Sequence, residues 1–540
     1  MHPPPSSGSA RSVHRILEAR AEASGRRVAL AVREQGVWRE VTYAELSLRV
    51  RSVSGFLVRN SIGGGDRIAI LSESRPEWAI AFLGAVRNGA AVVPLDPKLT
   101  VHELAPILAD CSPRLLFASK RFVDTALELA RLAPSLEQVV LLQEDPRHPE
   151  LPSLAAWKHG PGTREREPSL QDCAVIAYTS GTTGKPKGVC ISYGSLAFQA
   201  DCFERAFDLH EDEVFLSMLP LNHLFELTCG LLSVLNAGAQ VAYCESLLPD
   251  EIAQAMRDRG ATRMLTVPVF LRALRRALEL RAARADAAAA SVLDAFGGRL
   301  SSLHSGGAPL DRDLHDFFER LGLRVFEGYG LTETSPVIAT NAPAASFPGS
   351  VGRPLAGTEV AIARVPGEEQ GEILVRGPHV MLGYHGQEDL TREAIDRDGW
   401  FHTGDLGHID GEGFLHVTGR LKSLIVLPTG KKVQPEEVEA VLSASPCVKE
   451  VCVLGRAAGS GEEVQAVAVP SDALRARVGT EAAQLQEAIE ADFAERCRVL
   501  APFKRPVRIH VLARELPRTT TGKVRRRDVV RILDASGDPR

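Results

Sequence analysis

No Cys-x-x-Cys pair occurs among the nine cysteines, which sit singly from Cys111 to Cys497. Zinc ribbons and thioredoxin-like redox pairs lose their support. The odd, unclustered count fits a reducing, cytoplasmic interior in which each cysteine serves as a small buried hydrophobe. Positive charge is not in excess either: 63 Lys and Arg stand against 68 Asp and Glu, a formal net charge of −5. A dedicated nucleic-acid binder is disfavoured, and any anion site must be a local arrangement. The N-terminal MHPPPSSGSARS has no apolar core, so it is read as a disordered Pro/Ser tail (residues 1–12) and not as a signal peptide. The longest uncharged stretch, Leu227 to Cys244, spans about 18 residues, near the lower limit for crossing a bilayer. Gly230, Asn236, Gly238 and Gln240 interrupt it, and Gly238 reads as a break between a buried helix and a strand. The stretch is taken as core, which leaves room for peripheral membrane contact. No internal repeat is visible.

What is present implies at least two domains, because 540 residues exceed what one hydrophobic core organises. From Val13 to about Gly419, apolar runs such as RIAIL, AVVPL, VIAY and RMLTV alternate with helical patterns. That alternation predicts α/β layers with largely parallel sheets. In LSSLHSGGAPLDRDLHDFFERLG a strand ends near His304, a glycine-rich loop follows, and Asp311 is a plausible N-cap. Leu314, Phe317, Phe318 and Leu321 then form one apolar stripe, and Gly322 ends the helix. A second strand, Leu323 to Phe326, leads into the loop EGYGLTETSP. Loops at the carboxyl ends of parallel strands are where α/β sheets bind ligands. After Gly371 short strands appear, with a hairpin turn at Asp410-Gly411-Glu412-Gly413. Residues 420–540 read as a small α+β domain whose first helix opens on Pro435, with Glu436, Glu437 and Glu439 near its positive end. The boundary is placed at Gly419–Lys422, giving domains 13–419 and 420–540.

The loop YTSGTTGKPKGV (Tyr178 to Val189) carries glycines, hydroxyls and two lysines. A phosphate chain needs N–H donors at close range, hydroxyls and fixed positive charge, and the loop supplies all three. It is not a Walker A loop: Gly184-Lys185 follows Gly181 after only two residues, and Pro186 stands where Ser or Thr is required. On its own, the loop is also compatible with a flexible turn bearing solvated lysines.

Four further motifs follow in order: SGGAPL (Ser305 to Leu310), GYGLTETSP (Gly328 to Pro336), GWFHTGDLG (Gly399 to Gly407) and GRLKS (Gly419 to Ser423). PRTTTGKVRR (Pro517 to Arg526) closes the set. With them the chain closely resembles the adenylate-forming superfamily: acyl-CoA synthetases, peptide-synthetase adenylation domains and firefly-type luciferases. The resemblance spans nearly everything after the tail. It implies an α/β fold with a large N-terminal domain of layered sheets and helices and a small mobile α+β C-terminal domain.

The resemblance also implies roles. Thr179, Ser180, Gly181, Thr182, Thr183, Gly184, Lys185 and Lys187 would hold the β- and γ-phosphates of ATP. Glu333 would be the Mg²⁺ carboxylate, and Thr332 would bond the α-phosphate. Tyr329, between Gly328 and Gly330, would stack on adenine. Gly306, Gly307 and Ala308 would line the adenine and acyl pocket, where small residues let ligand approach the backbone. Asp405 would accept both ribose hydroxyls, and Arg420 would bind ribose or phosphate oxygens. Lys523 would bridge the carboxylate and α-phosphate as the main catalytic group. Apart from the resemblance, the basic run Arg525, Arg526 and Arg527 would help attract CoA phosphates. His223 would border the acyl pocket. Lys422 would be the hinge that swings the small domain for thioester formation, and Gly430 would line the CoA tunnel. In LIVLPTGKKV that glycine comes one residue later than in short-chain members, after Pro428, a spacing also seen in long-chain acyl-CoA synthetases. Tyr193 stands where a histidine is frequent.

LPLNHLFELTCGLL has no Asp to hold a substrate ammonium; Glu226 could take that part but is expected to pack or cap. The stretch most resembles long-chain fatty acyl-CoA synthetases. The expectation is a medium- to long-chain fatty acid activated by ATP and Mg²⁺ and passed to CoA. The alternative acceptor is an acyl carrier protein, and a rival of another class is an inactive acyl-AMP or ATP sensor.

Overall fold

The computed structural model describes residues 13–156, 168–179, 186–244, 246, 248–285, 296–364, 370–429, 431–458, 461–518 and 524–535. Two compact units emerge: residues 1–360 with 375–402, and residues 361–374 with 403–540. The four-stranded sheet that spans Glu359 to Arg420 thus groups largely with the smaller unit. The sequence boundary at Gly419–Lys422 marks a proposed pivot within the chain, not the edge of that cluster.

The larger unit holds two sheets. A seven-stranded sheet carries strand β1 (Cys173–Thr179), which runs antiparallel to β2 (Lys187–Ser192) and parallel to Ala91–Pro94. Beyond Ala91–Pro94, the strands Arg67–Leu71, Leu115–Ala118 and Gln138–Leu141 continue in parallel. Helices seal this sheet tightly. The helix Tyr43–Arg59 begins with a capping box between Thr42 and Glu45. The next, Pro76–Arg87, starts on proline. A Cβ added to Gly84 would lie 2.4 Å from Val53 Cβ, so the missing side chain is what lets these two helices close on each other.

The second sheet has nine strands. Its parallel centre includes Val214–Ser217, Gln240–Tyr243, Arg263–Thr266, β3 (Ser302–Ser305) and β4 (Arg324–Gly330). Strand β4 runs further than its apolar pattern predicts. Glu327 to Gly330, read from the sequence as loop, stay extended because Glu327 pairs with Ser305 of β3 and Gly328 to Gly330 pair antiparallel with β5 (Val337–Thr340). Glycines are poor strand formers, and the ladder to β5 overrides that preference. The helix Arg312–Arg320 starts after Asp311, but the Asp311 carboxylate takes Arg272 Nη1 at 2.8 Å and makes no side-chain cap. Strand β6 (Gly383–Tyr384) returns from far along the chain to pair with β2.

The stretch Leu227 to Cys244 is core: a π-helix over Phe225–Leu232, a short helix Ser233–Ala237, Gly238 at φ +76°, then the buried strand Gln240–Tyr243. No helix among the described residues is long and apolar enough to cross a membrane.

In the smaller unit, β7 (Phe401–Ile409) and β8 (Leu415–Arg420) form the hairpin expected around Asp410 to Gly413. The three-stranded sheet Val448–Ala458, Gly461–Pro470 and Arg508–Val511 buries alternate residues on opposite faces. Cys452 and Leu454 pack with Val529 and Leu533, while Val453 packs with Val438, Ile489 and Phe493. The helix Pro435–Ser443 opens on proline with Glu436 and Glu437 in its first turn, as predicted.

Candidate active site

In the larger unit, the β1–β2 hairpin brings Thr179 opposite Lys187. Between them, Ser180, Gly181, Thr182, Thr183, Gly184 and Lys185 lie outside the described residues, as do Gly430 and Lys523. The flanking segments are thus two antiparallel strands, whereas a P-loop NTPase has a strand before its loop and a helix after it.

Lys187 and Glu333 come to the same place from distant parts of the chain. Lys187 Nζ sits 5.0 Å above the ring centroid of Tyr384, and Tyr384 donates its hydroxyl to Glu333 Oε1 at 3.0 Å. The Glu333 carbonyl accepts the Met381 N–H at 2.8 Å. Burial, the Glu333 charge and the bond to Glu333 all push the Tyr384 phenol above its ordinary value, so the hydroxyl remains a donor. Thr332 and Glu333 ride on a 3₁₀ turn, Thr332–Thr334. Thr334 closes that turn by donating to the carbonyls of Leu331 and Pro336. Gln199, fully buried, donates to the carbonyls of Thr334 and Val337. A Cβ at Gly330 would fall 1.7 Å from the Pro336 carbonyl oxygen; only glycine permits this close return.

The loop holding Gly306, Gly307 and Ala308 follows β3 and is tied to β4. The Leu310 N–H donates to Glu327 Oε1 at 3.0 Å. Burial pushes the Glu327 carboxyl up to about 7, opposed by the Leu310 N–H and reinforced by Asp311. Gly307 has φ +83°. A Cβ on Gly306 would meet the Phe225 ring at 3.2 Å, so the first residue of the π-helix covers this glycine. His223 leads into that helix and accepts the Leu227 N–H on its carbonyl. Burial lowers the His223 imidazole, with Asp96 opposing and Lys98 adding to the effect, so the ring is neutral at pH 7. Phe225 thus lies against Gly306, and His223 stands two residues before it in the chain.

Glu226, the next residue of the π-helix, lies in the core. It is 1% exposed, accepts the Ser217 hydroxyl on Oε1 and leaves Oε2 without a partner. Burial pushes it up to about 8, with the Ser217 bond opposing. Gly230 makes room, since a Cβ there would lie 2.7 Å from the Glu226 carboxyl carbon. The expectation that Glu226 packs inward matches this placement. Tyr193 is core as well, donating to the carbonyls of Val86 and Ala90.

In the smaller unit, Asp405 and Arg420 pair across β7 and β8, with Arg420 Nε 2.9 Å from Asp405 Oδ1. Residues 519–523 lie outside the described residues, but their flanks meet: Arg518 bridges Val524, and the Arg525 N–H donates to Pro517 O. Arg526 is spent inside the unit, 2.8 Å from both Glu439 carboxylate oxygens and 3.2 Å from Glu436. This corrects its expected role in attracting CoA phosphates, because a guanidinium committed to two carboxylates is not free for a third anion.

Sequence reading did not single out Tyr384, Glu327 or Phe225. Tyr384 lies 51 positions from Glu333, and the only hint was its place in the run GPHVMLGYH.

The comparisons agree with this geometry. The family model for "AMP-binding enzyme" matches residues 17–385, and that for "AMP-binding enzyme C-terminal domain" matches residues 437–523. The chain is 33% identical over 513 residues to a feruloyl-CoA synthase of Amycolatopsis sp, covering 93% of this chain and 96% of that protein. It is 27% identical over 500 residues to the long-chain-fatty-acid–CoA ligase ACSBG1 of Bos taurus, covering 82% of this chain and 69% of that one. Among solved structures, ATP-bound MatB from Rhodopseudomonas palustris superposes with a TM-score of 0.81 at 28% identity, covering 97% of this chain and 99% of that chain. Two family models that together span most of the chain, and a relative 33% identical over nearly its whole length, lead to one conclusion: this chain belongs to the AMP-binding enzyme family, the adenylate-forming superfamily that includes the AMP-forming acid–CoA ligases.

Proposed function

We propose that this chain, an AMP-forming acid–CoA ligase, activates a medium- to long-chain fatty acid to its acyl-adenylate and transfers the acyl group to CoA. The placement of Glu226 carries the choice of acid. It is the only acidic residue in LPLNHLFELTCGLL, and it is buried, bonded to Ser217 and pushed towards its neutral form. It offers no counter-charge to a substrate ammonium, which disfavours amino acids. The Phe225 ring beside Gly306 and a neutral His223 present no charge to the acyl group, which suits a hydrocarbon chain.

The acid carboxylate attacks the α-phosphorus while pyrophosphate leaves, so two anions must be brought together and the leaving charge stabilised. Thr179, Ser180, Gly181, Thr182, Thr183, Lys185 and Lys187 grip the outer phosphates, Thr332 the α-phosphate, and Lys523 the two reacting groups. Tyr329 and the Gly306–Ala308 loop receive adenine, while Asp405 and Arg420 serve the ribose. Among the described residues no group of three or more metal-ligating side chains occurs. Glu333, engaged on one oxygen by a neutral donor, fits a hard cation that arrives with its triphosphate and keeps most of its water. Mg²⁺ held there would neutralise charge on the outer phosphates.

A second reading, an aryl acid substrate, is favoured by the 33% identity to a feruloyl-CoA synthase. AMP release measured with straight-chain acids from acetate to stearate and with ferulate, each with and without CoA, separates the two. Preference for ferulate over every fatty acid overturns the fatty-acid reading. Thioester formed only on a carrier protein replaces CoA as acceptor.

A further inference from the structure

Tyr384 lies between the two charges that the triphosphate and its cation must meet. Strand β6 pairs Tyr384 with Val189 of β2, which sets its ring beneath the Lys187 ammonium, 5.0 Å from the centroid. Its hydroxyl reaches the other way, to Glu333 Oε1 at 3.0 Å. Met381, three residues earlier, grips the Glu333 backbone carbonyl. The segment 381–384 therefore holds Glu333 at both main chain and side chain. Lys187 and Glu333 make no direct ion pair, although one tyrosine touches both.

A direct ion pair between this lysine and this glutamate would tie each to the other before any nucleotide arrives. Breaking such a pair would then cost part of the binding energy of every incoming nucleotide. An aromatic face attracts a cation without neutralising it, and a phenol donates to a carboxylate while leaving its charge in place. We propose that Tyr384 is a positioning residue that keeps Lys187 and Glu333 separate and charged, Lys187 for phosphate and Glu333 for the divalent cation. This inference rests on the adenylation reading of those two residues.

The variants Tyr384→Phe and Tyr384→Leu separate its two contacts. Phe keeps the ring under Lys187 and deletes the bond to Glu333; Leu deletes both. ATP binding to the full-length protein is measured by calorimetry, once with excess Mg²⁺ and once with a chelator. Tyr384→Phe is expected to weaken Mg²⁺–ATP binding about tenfold, the factor for one hydrogen bond to a charged group, and to leave metal-free ATP binding unchanged. Tyr384→Leu is expected to weaken both. Adding Tyr384→Phe to Glu333→Gln should cost nothing further, since the two act through one contact. Equal losses for Tyr384→Phe with and without metal, no loss at all, or full additivity with Glu333→Gln would each overturn the proposal. A thermal midpoint close to wild type shows that the Phe variant is folded. Wild-type protein that binds ATP no better with Mg²⁺ than without it would instead overturn the adenylation reading, and the inference with it.

Discussion

Arg420 Nε lies 2.9 Å from Asp405 Oδ1, the two residues facing each other across the β7–β8 ladder. The carboxylate side chain is 4% exposed and the guanidinium 50%, so the pair has a buried acidic end and a solvent-facing basic end. The acid is thereby oriented by a neighbour on the same sheet before any ligand arrives.

Replacing Asp405 by Ala should raise the ATP concentration needed for half-maximal pyrophosphate exchange by about tenfold to a hundredfold, the loss expected for hydrogen bonds to a charged group. The measurement is exchange rate against ATP at saturating acid. An unchanged ATP dependence would remove Asp405 from the ribose site.

Lys523→Ala should lower acid-dependent pyrophosphate exchange by about 10²–10³, as for loss of one transition-state contact. Acyl-adenylate supplied from outside should still react with CoA. Equal failure of both half-reactions in a folded variant would show that the lysine has another role.

Glu226 makes stability depend on pH with a definite sign. Its folded value is raised from 4.5 to about 8 by burial, so the folded protein keeps a proton that the unfolded chain releases. The stability tied to that proton is complete below the unfolded value and is lost as pH rises through the folded one, at about 1.4 kcal/mol per pH unit between them. Urea unfolding of wild type and Glu226→Gln, compared from about pH 5 to about pH 8, should show the Gln variant gaining on wild type as pH increases. Parallel curves would mean that the carboxyl does not titrate in this window.

Gly330→Ala places a Cβ 1.7 Å from the Pro336 carbonyl oxygen, so the turn carrying Thr332 and Glu333 must move. Pyrophosphate exchange should fall at least tenfold, about the loss of one charged contact. Gly411→Ala, with nothing within 4 Å, serves as the neutral control. Full activity of Gly330→Ala would show that the turn tolerates displacement.

The candidate residues that the sequence offers lie in local motifs. The hydroxyls and lysines of YTSGTTGKPKGV, the Thr332–Glu333 step and the hairpin at Asp410 to Gly413 are each set within a few consecutive residues. Their spacing survives whatever the rest of the chain does. Glu327 to Gly330 were less legible. A Glu-Gly-Tyr-Gly run reads as loop by propensity, and only pairing with β3 and β5 makes it strand. Arg526 misled for a similar reason: a run of three arginines resembles an anion patch until Glu439 and Glu436 are seen to occupy its middle member.

By itself the sequence determined the family and the two-part organisation, and it proposed the groups that would meet phosphate, because motif chemistry depends on residue type and short-range order. Tertiary structure decided which charges those groups face. The Lys187–Tyr384–Glu333 contacts, the packing of Glu226 on Ser217 and the tie from Glu327 to Leu310 all join residues from separate elements of the chain. Such contacts depend on strand order and register, which no local pattern encodes.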